Sequence, residues 1–303
     1  MTRPLKVGIQ LPEVERTVPW SELQAMAELA ERIGLDSIWV GDHLLYRDDG
    51  EEPRGPWDAW SLLAALAAVT ERVEIGPLVA STSFHNPAML AKKAATVDEI
   101  SGGRLILGLG AGWNRPDYDA FGFPYDHRVS RFEEAFTIIR ELLGTGRSDF
   151  SGTYYALDRG ELLPRGPRPA GPPLMVGSMG ERMLGLTLPH VDAWNAWGPW
   201  FGNSVEGYRE LHATIDEHCR RVGRDPRTVE RTVALIVALP GALGRGSSIS
   251  EERYAPLEGD PASLAPALRG FAVAGVKHVQ LVLDPITLES IAALEPTLAA
   301  LDG

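Results

Sequence analysis

Short runs of apolar, β-branched residues alternate along the chain with longer stretches whose apolar positions recur every three to four residues. Residues 5–11, "LKVGIQL", read as a strand, and 19–33, "PWSELQAMAELAERI", as a helix. Pro19 suits a first helical turn, and Leu23, Met26, Ala27 and Ala30 space one apolar face. The same rhythm predicts strands over 37–43, 73–81, 103–112, 173–178, 191–197, 231–239 and 276–283. Between and after them it predicts helices over 58–70, 87–100, 131–143, 180–189, 204–222, 261–274 and 287–301. A small hairpin is expected at 149–157, "DFSGTYYAL". In "RIGLDSIWV" and "VAGVKHVQLVL" a glycine sits where a helix C-cap needs φ > 0, just before a β-branched run. Eight strands and eight helices in strict alternation predict an α/β fold, a parallel (β/α)8 TIM barrel with insertions at the C-terminal face of its strands; an open doubly wound sheet is the runner-up.

Composition narrows the picture. The 303 residues contain 44% hydrophobic side chains, enough for a large core, and no linker composition divides them, so one domain over 1–303 is expected. A net charge of −12 argues against a nucleic-acid partner, which would need clustered Lys and Arg. No apolar run reaches membrane-spanning length, and the N-terminus enters a strand pattern without the apolar stretch of a signal peptide. One cysteine, Cys219, excludes an internal disulfide and fits a reducing cytoplasm. The loop 240–260 is long enough to be functional or disordered.

Active sites of such barrels lie at strand C-termini. Those ends offer Gln10 and Glu13, then Asp42 and His43, "VASTSFHN", Gly110 to Asn114, "VGSMGER", and Trp194, Asn195 and Trp197. "GLGAGWN" is not a dinucleotide fingerprint, because the sixth position of G-x-G-x-x-G is Trp113 and no helix of that kind opens there. Glycines at a strand end either admit a flat ring or accommodate a bulky neighbour in the core. "MVGSMGER" is either an ordinary βα turn or an anion site, with Ser178 and Arg182 as added donors. His212 and His218 lie six apart, the wrong spacing for a zinc site, and no serine has a G-x-S-x-G setting. No metal site is expected, nor is a convincing aldolase lysine present at a strand end.

The set "SIWVGDH", "ERVEIGPLV", "NPAMLAKKAATVDEISGGRLILGLGAGWN", "RFEEAFTIIREL", "PPLMVGSMGER" and "VDAWNAW" resembles the luciferase-like monooxygenase superfamily, including its deazaflavin (coenzyme F420)-dependent oxidoreductases. The resemblance runs to about residue 197. It implies a barrel that binds F420 or FMN at the strand C-termini, often as a homodimer, sometimes with a separate reductase. It implies proton transfer by His43, with Asp42 orienting it or touching the ring. It implies a non-proline cis peptide near Leu78 and Val79, and a phosphate loop of Gly177, Ser178, Gly180, Glu181 and Arg182. Gly110 and Gly112 are expected at the end of the fourth strand, in the cofactor site, with at least one of them facing the ring, and Asn114 would reach its polar side. Sugar-phosphate dehydrogenases of the family carry a glutamate where this chain has Trp113, and a tryptophan where it has "LLYR". Tyr46, Trp57, Trp113 and Trp197 would instead wall an apolar cleft for a small organic substrate, or pack as core. The expected activity is hydride transfer with F420; the alternatives are an FMN monooxygenase using O2 and a non-catalytic flavin-binding barrel.

Overall fold

The computed structural model describes residues 3–47, 52–242 and 254–303; part of the long loop, 243–253, lies outside the described residues. In chain order the elements are β1 (Lys6–Gln10), α1 (Trp20–Arg32), β2 (Ser37–Val40), α2 (Ala59–Val69), β3 (Glu74–Pro77), β4 (Ala80–Ser81), α3 (Pro87–Ile100), β5 (Leu107–Gly110) and α4 (Arg115–Phe121). They continue with α5 (Arg128–Thr145), β6 (Arg147–Ser151), β7 (Ala156–Glu161), β8 (Leu174–Gly177), α6 (Glu181–Thr187), β9 (Ala193–Trp197) and α7 (Val205–Arg221). The last are β10 (Glu230–Ala238), β11 (Leu257–Glu258), α8 (Pro261–Val273), β12 (His278–Asp284), α9 (Leu288–Ala292) and α10 (Glu295–Asp302).

The expected strands and helices are all present, and the alternation is that of an α/β fold. Strand 73–81 is broken into β3 and β4 around a cis Leu78–Val79 peptide, as the resemblance implied. The last helix divides into α9 and α10. The expected hairpin is β6–β7, antiparallel and longer than the pattern suggested. Helix α4 was not anticipated.

The chain forms two compact units, Met1–Trp39 with Val176–Gly303, and Val40–Met175. In the first, β2, β1, β12, β10 and β9 run parallel in that order, with Ile9 opposite Leu281 and Thr232 opposite His278. Helix α1 buries Leu23, Met26, Ala27 and Ala30, the face its spacing predicts. The C-cap glycines Gly34 and Gly275 have φ of 90° and 101°, as their joints require. In the second unit β4 pairs parallel with β5, and Ile75 bridges Leu105. Helix α3 opens on Asn86, whose side chain accepts from the N–H groups of Ala88 and Met89, with Pro87 next.

A polar chain lies inside the first unit. The indole N–H of Trp39 donates to Ser37 Oγ at 2.7 Å, so the Ser37 hydroxyl can give its own proton to His278 Nε2 at 2.6 Å. His278 is fully buried with no carboxylate against it, and burial first, then the nearby Lys6 charge, pushes its pKa down to about 3. The folded protein therefore keeps a neutral imidazole, while the unfolded chain takes up a proton near its ordinary value. Stability from this group is complete above about pH 6.5 and is lost as pH falls toward 3. Urea unfolding between pH 6.5 and 4 should show the protein losing up to about 1.4 kcal/mol per pH unit more than His278→Gln. Parallel pH profiles would show that His278 does not contribute.

Candidate active site

In the second unit Gly41, Asp42 and His43 follow the end of β2 at Val40. Adjacent in sequence, Asp42 and His43 find different partners. The buried Asp42 carboxylate accepts from the Ser81 N–H at 2.9 Å and from His85 Nε2 at 3.0 Å. His43 instead donates from Nδ1 to Asp117 Oδ2 at 2.8 Å. The carboxylate that orients His43 is Asp117, and the expectation that Asp42 does so is corrected by that geometry.

Asp117 is fully buried in the first turn of α4. Its second oxygen accepts from the N–H groups of Leu44 at 3.0 Å and Leu45 at 2.7 Å. Burial pushes this carboxyl up, but the hydrogen bond and charge of His43, with the Leu45 and Leu44 N–H groups, outweigh it and hold the pKa below the usual carboxylate range. An ionised carboxylate only accepts, so the proton on the His43 ring sits at Nδ1.

Aromatic rings flank the imidazole. Tyr46, buried and held by a two-bond bridge to Arg54, lies 4.8 Å from it between centroids, and Trp113 meets it edge-on at 5.4 Å. Trp113 is 55% exposed, so one side of its indole is open to a ligand. Trp57 is also exposed. Near Asp42, the Ser81 hydroxyl is buried without a hydrogen-bond partner.

The three alternating glycines have separate duties. A Cβ on Gly108 would come within 2.4 Å of the Pro77 carbonyl oxygen, so this position answers a close strand approach. Gly110 ends β5, and its carbonyl accepts from Thr82 Oγ1 at 3.2 Å. Gly112 lies past the strand at φ 76°, and a Cβ there would stand 2.1 Å from the Tyr118 hydroxyl and 2.4 Å from Ser81 Oγ. The space beside Gly112 is taken by protein, which revises the expectation that it receives a ring. Asn114, buried, turns its amide to the Leu45 carbonyl at 2.9 Å rather than toward an open cleft.

The remaining expected residues belong to the first unit. Gly177 ends β8, and Gly180 precedes α6 with its N–H 3.4 Å from Ser178 Oγ. The Ser178 carbonyl accepts from the Trp194 indole at 2.8 Å. Glu181 bonds to Arg221 at 2.7 Å, Arg182 is exposed, and Trp197 closes β9 half-buried. Buried Asn195 donates to Thr232 and Gln280.

Asp117 was not anticipated, while His85 and Ser81 lie in the strand-end stretch "VASTSFHN" that had no residue singled out. The clue to Asp117 was local: Asn114, then Pro116 and an acid in the next position, is a helix-start signal in a stretch where no element was expected.

The sequence profile of the luciferase-like monooxygenase family matches residues 6–240. An F420-dependent glucose-6-phosphate dehydrogenase of Amycolatopsis mediterranei is 36% identical over 243 residues, 76% of this chain and 68% of its own. A 5,10-methylenetetrahydromethanopterin reductase of Archaeoglobus fulgidus is 31% identical over 183 residues, 60% of this chain and 50% of its own. The pyrimidine monooxygenase RutA of Klebsiella pneumoniae is 31% identical over 178 residues, 56% of this chain and 48% of its own. This match and the preceding one span about half of those relatives. Among solved structures, an F420-dependent secondary alcohol dehydrogenase in complex with an F420-acetone adduct superposes with a TM-score of 0.78 over 99% of both chains at 21% identity. The long-chain alkane monooxygenase LadA gives 0.78 over 99% of this chain and 92% of its own at 16% identity. At these identities the likeness speaks for the fold, and it bears out the (β/α)8 class.

Gly122 shares the φ of 76° with Gly112 but has nothing within 4 Å of an added Cβ. Gly122→Ala should cost about 1–2 kcal/mol for backbone alone. Gly112→Ala should lose a further 1–3 kcal/mol or so from overpacking against Tyr118 and Ser81. Equal losses in urea melts would mean that those neighbours do not constrain Gly112.

Proposed function

The chain belongs to the luciferase-like monooxygenase family, and on that premise we propose that it is an F420-dependent oxidoreductase acting on a small, largely apolar or aromatic substrate, with His43 as its proton-transfer residue. The observation that carries this reading is the 2.8 Å bond from His43 Nδ1 to the buried Asp117 carboxylate, next to an indole with an open side. The residues present suit a flat, polar-edged ring: a histidine with one nitrogen committed, an unpartnered buried hydroxyl at Ser81, and an aromatic wall. When bound, the deazaflavin ring supplies hydride chemistry.

The chain's own residues supply the rest. Asp117 fixes the tautomer and orientation of His43, so Nε2 can take or give one proton at the reacting atom. Tyr46 and Trp113 exclude water around the imidazole. Taken by itself, the turn before α6 offers the N–H of Gly180 and the Ser178 hydroxyl as candidate anion donors. The 36% identical relative is named for glucose 6-phosphate, but Trp113 stands where the resemblance implies a sugar-phosphate enzyme's glutamate, so we assign this chain a different substrate. The likeness to a pyrimidine monooxygenase favours one rival, reduced FMN with O2.

Titration of the apoprotein with F420 and with FMN, followed by ring fluorescence, separates the two. F420 should bind at least about tenfold tighter, a difference of about 1.4 kcal/mol; the reverse order would favour the monooxygenase. His43→Ala should lower turnover about 10²–10⁴-fold with little change in cofactor affinity. Asp117→Asn should lower it comparably and move the His43 ring proton to Nε2, visible in imidazole nitrogen-15 shifts. Near-native turnover in His43→Ala would remove His43 from the mechanism.

A further inference from the structure

The loop from Ala111 to Asn114 carries Trp113, and each of its backbone carbonyls accepts a hydrogen bond. The Ala111 carbonyl accepts from the Tyr118 hydroxyl at 2.8 Å and from Ser83 Oγ at 3.1 Å. The Gly112 and Trp113 carbonyls accept from Nη1 of Arg128, at 3.0 Å and 3.5 Å, and the Tyr125 hydroxyl reaches the Trp113 carbonyl at 3.2 Å. The Arg128 guanidinium carbon also stands over the Tyr125 ring, 3.9 Å from its centroid.

Arg128 differs from the guanidinium groups around it. Arg115, on the same tyrosine, pairs with Asp119, and Arg131 pairs with Asp126. Among the described residues Arg128 has no carboxylate partner, and only Nη1 of its three nitrogens makes a hydrogen bond. Arg165 and Arg224 also bond only to carbonyl or hydroxyl oxygens, so what sets Arg128 apart is its place against Tyr125 and the Trp113 carbonyl. Arg128 is half-buried and pinned at one nitrogen and one face, so little rotamer freedom remains to be lost when a ligand arrives. The planar fork matches a carboxylate, which it can meet with parallel N–H donors.

We propose that Arg128, with Tyr125 and Trp113, forms a subsite for the carboxylate of a planar aromatic acid. The proposal deepens the reading of the His43 cleft and rests on it for the substrate's place in the reaction: the acid's ring would lie against the open side of Trp113, whose other contact is the His43 imidazole at 5.4 Å. The predicted substrate class is then an aromatic carboxylic acid rather than a neutral hydrocarbon. An uncharged analogue of the same shape forgoes the charge-assisted bonds, which are roughly twice as strong as neutral ones.

The test uses benzoate and its neutral isostere benzamide as probes on the full-length apoprotein, by calorimetric titration. Benzoate should bind at least about tenfold tighter than benzamide. Arg128→Met should bring benzoate down to the benzamide level, Arg128→Lys should restore part of the difference, and Arg131→Met should leave it intact. Equal binding of the two probes by the unaltered protein would overturn the proposal, as would benzoate binding that survives in Arg128→Met. If Arg128→Met does not fold, the benzoate-to-benzamide ratio of the unaltered protein and the Arg128→Lys and Arg131→Met variants still decide the matter. No cofactor enters this titration. Failure here with normal F420 binding would therefore remove the subsite alone, and failure of F420 binding with benzoate recognition intact would remove the cofactor assignment alone.

Discussion

A carboxylate deprived of water is tolerable only when its oxygens are occupied by donors, and Asp117 meets that requirement with three of them. Two come from backbone N–H groups and one from the His43 ring. This arrangement ties three things together. It holds the segment after β2 at Leu44 and Leu45, it anchors the first turn of α4, and it fixes which nitrogen of His43 carries the proton. An acid at the same depth without those donors would be protonated or displaced. The imidazole would then lose both its orientation and its tautomer.

The same economy of partners governs the backbone that follows β5. With φ at 76°, Gly112 turns the chain sharply, and the Tyr118 hydroxyl and Ser81 fill the space where a side chain would stand. The turn exposes a run of carbonyls that no strand satisfies. Tyr118, Ser83, Arg128 and Tyr125 satisfy them from neighbouring elements. Trp113 is consequently presented on a rigid support, and its indole meets His43 from a backbone that cannot relax away. A tryptophan in this place excludes the carboxylate chemistry that the resemblance assigns to sugar-phosphate enzymes. It offers instead a flat apolar surface whose backbone carbonyl accepts from Arg128.

Two histidines show how burial and partners set the outcome. His278 is buried beside a hydroxyl and no carboxylate, so burial drives it toward the neutral form. His43 has a carboxylate at hydrogen-bond distance and an aromatic collar, so its Nδ1 is engaged and its tautomer set. The residue type is the same; the first acts as a structural acceptor and the second as a donor to a buried carboxylate.

By itself the sequence determined the α/β class, the order of strands and helices, the apolar face of α1, the C-cap glycines Gly34 and Gly275, and His43 as a strand-end candidate. These follow from periodicity and local backbone preference, which act over a few residues and can be read from a few residues. The family resemblance added the cis peptide at Leu78–Val79. Tertiary structure alone decided the pairings. Adjacent Asp42 and His43 look like a dyad on paper, yet the fold gives them separate partners, one His85 and the other Asp117, 74 residues further on. Gly112 looks like an opening for a ring, yet Tyr118 closes it from the next helix. Arg128 looks like an ordinary basic residue at the start of a helix, and only the fold sets it against Tyr125 and the Trp113 carbonyl without a carboxylate of its own. A hydrogen-bond partner is chosen by which donor or acceptor the packing brings within 3 Å, and that choice has no period in the sequence from which to read it.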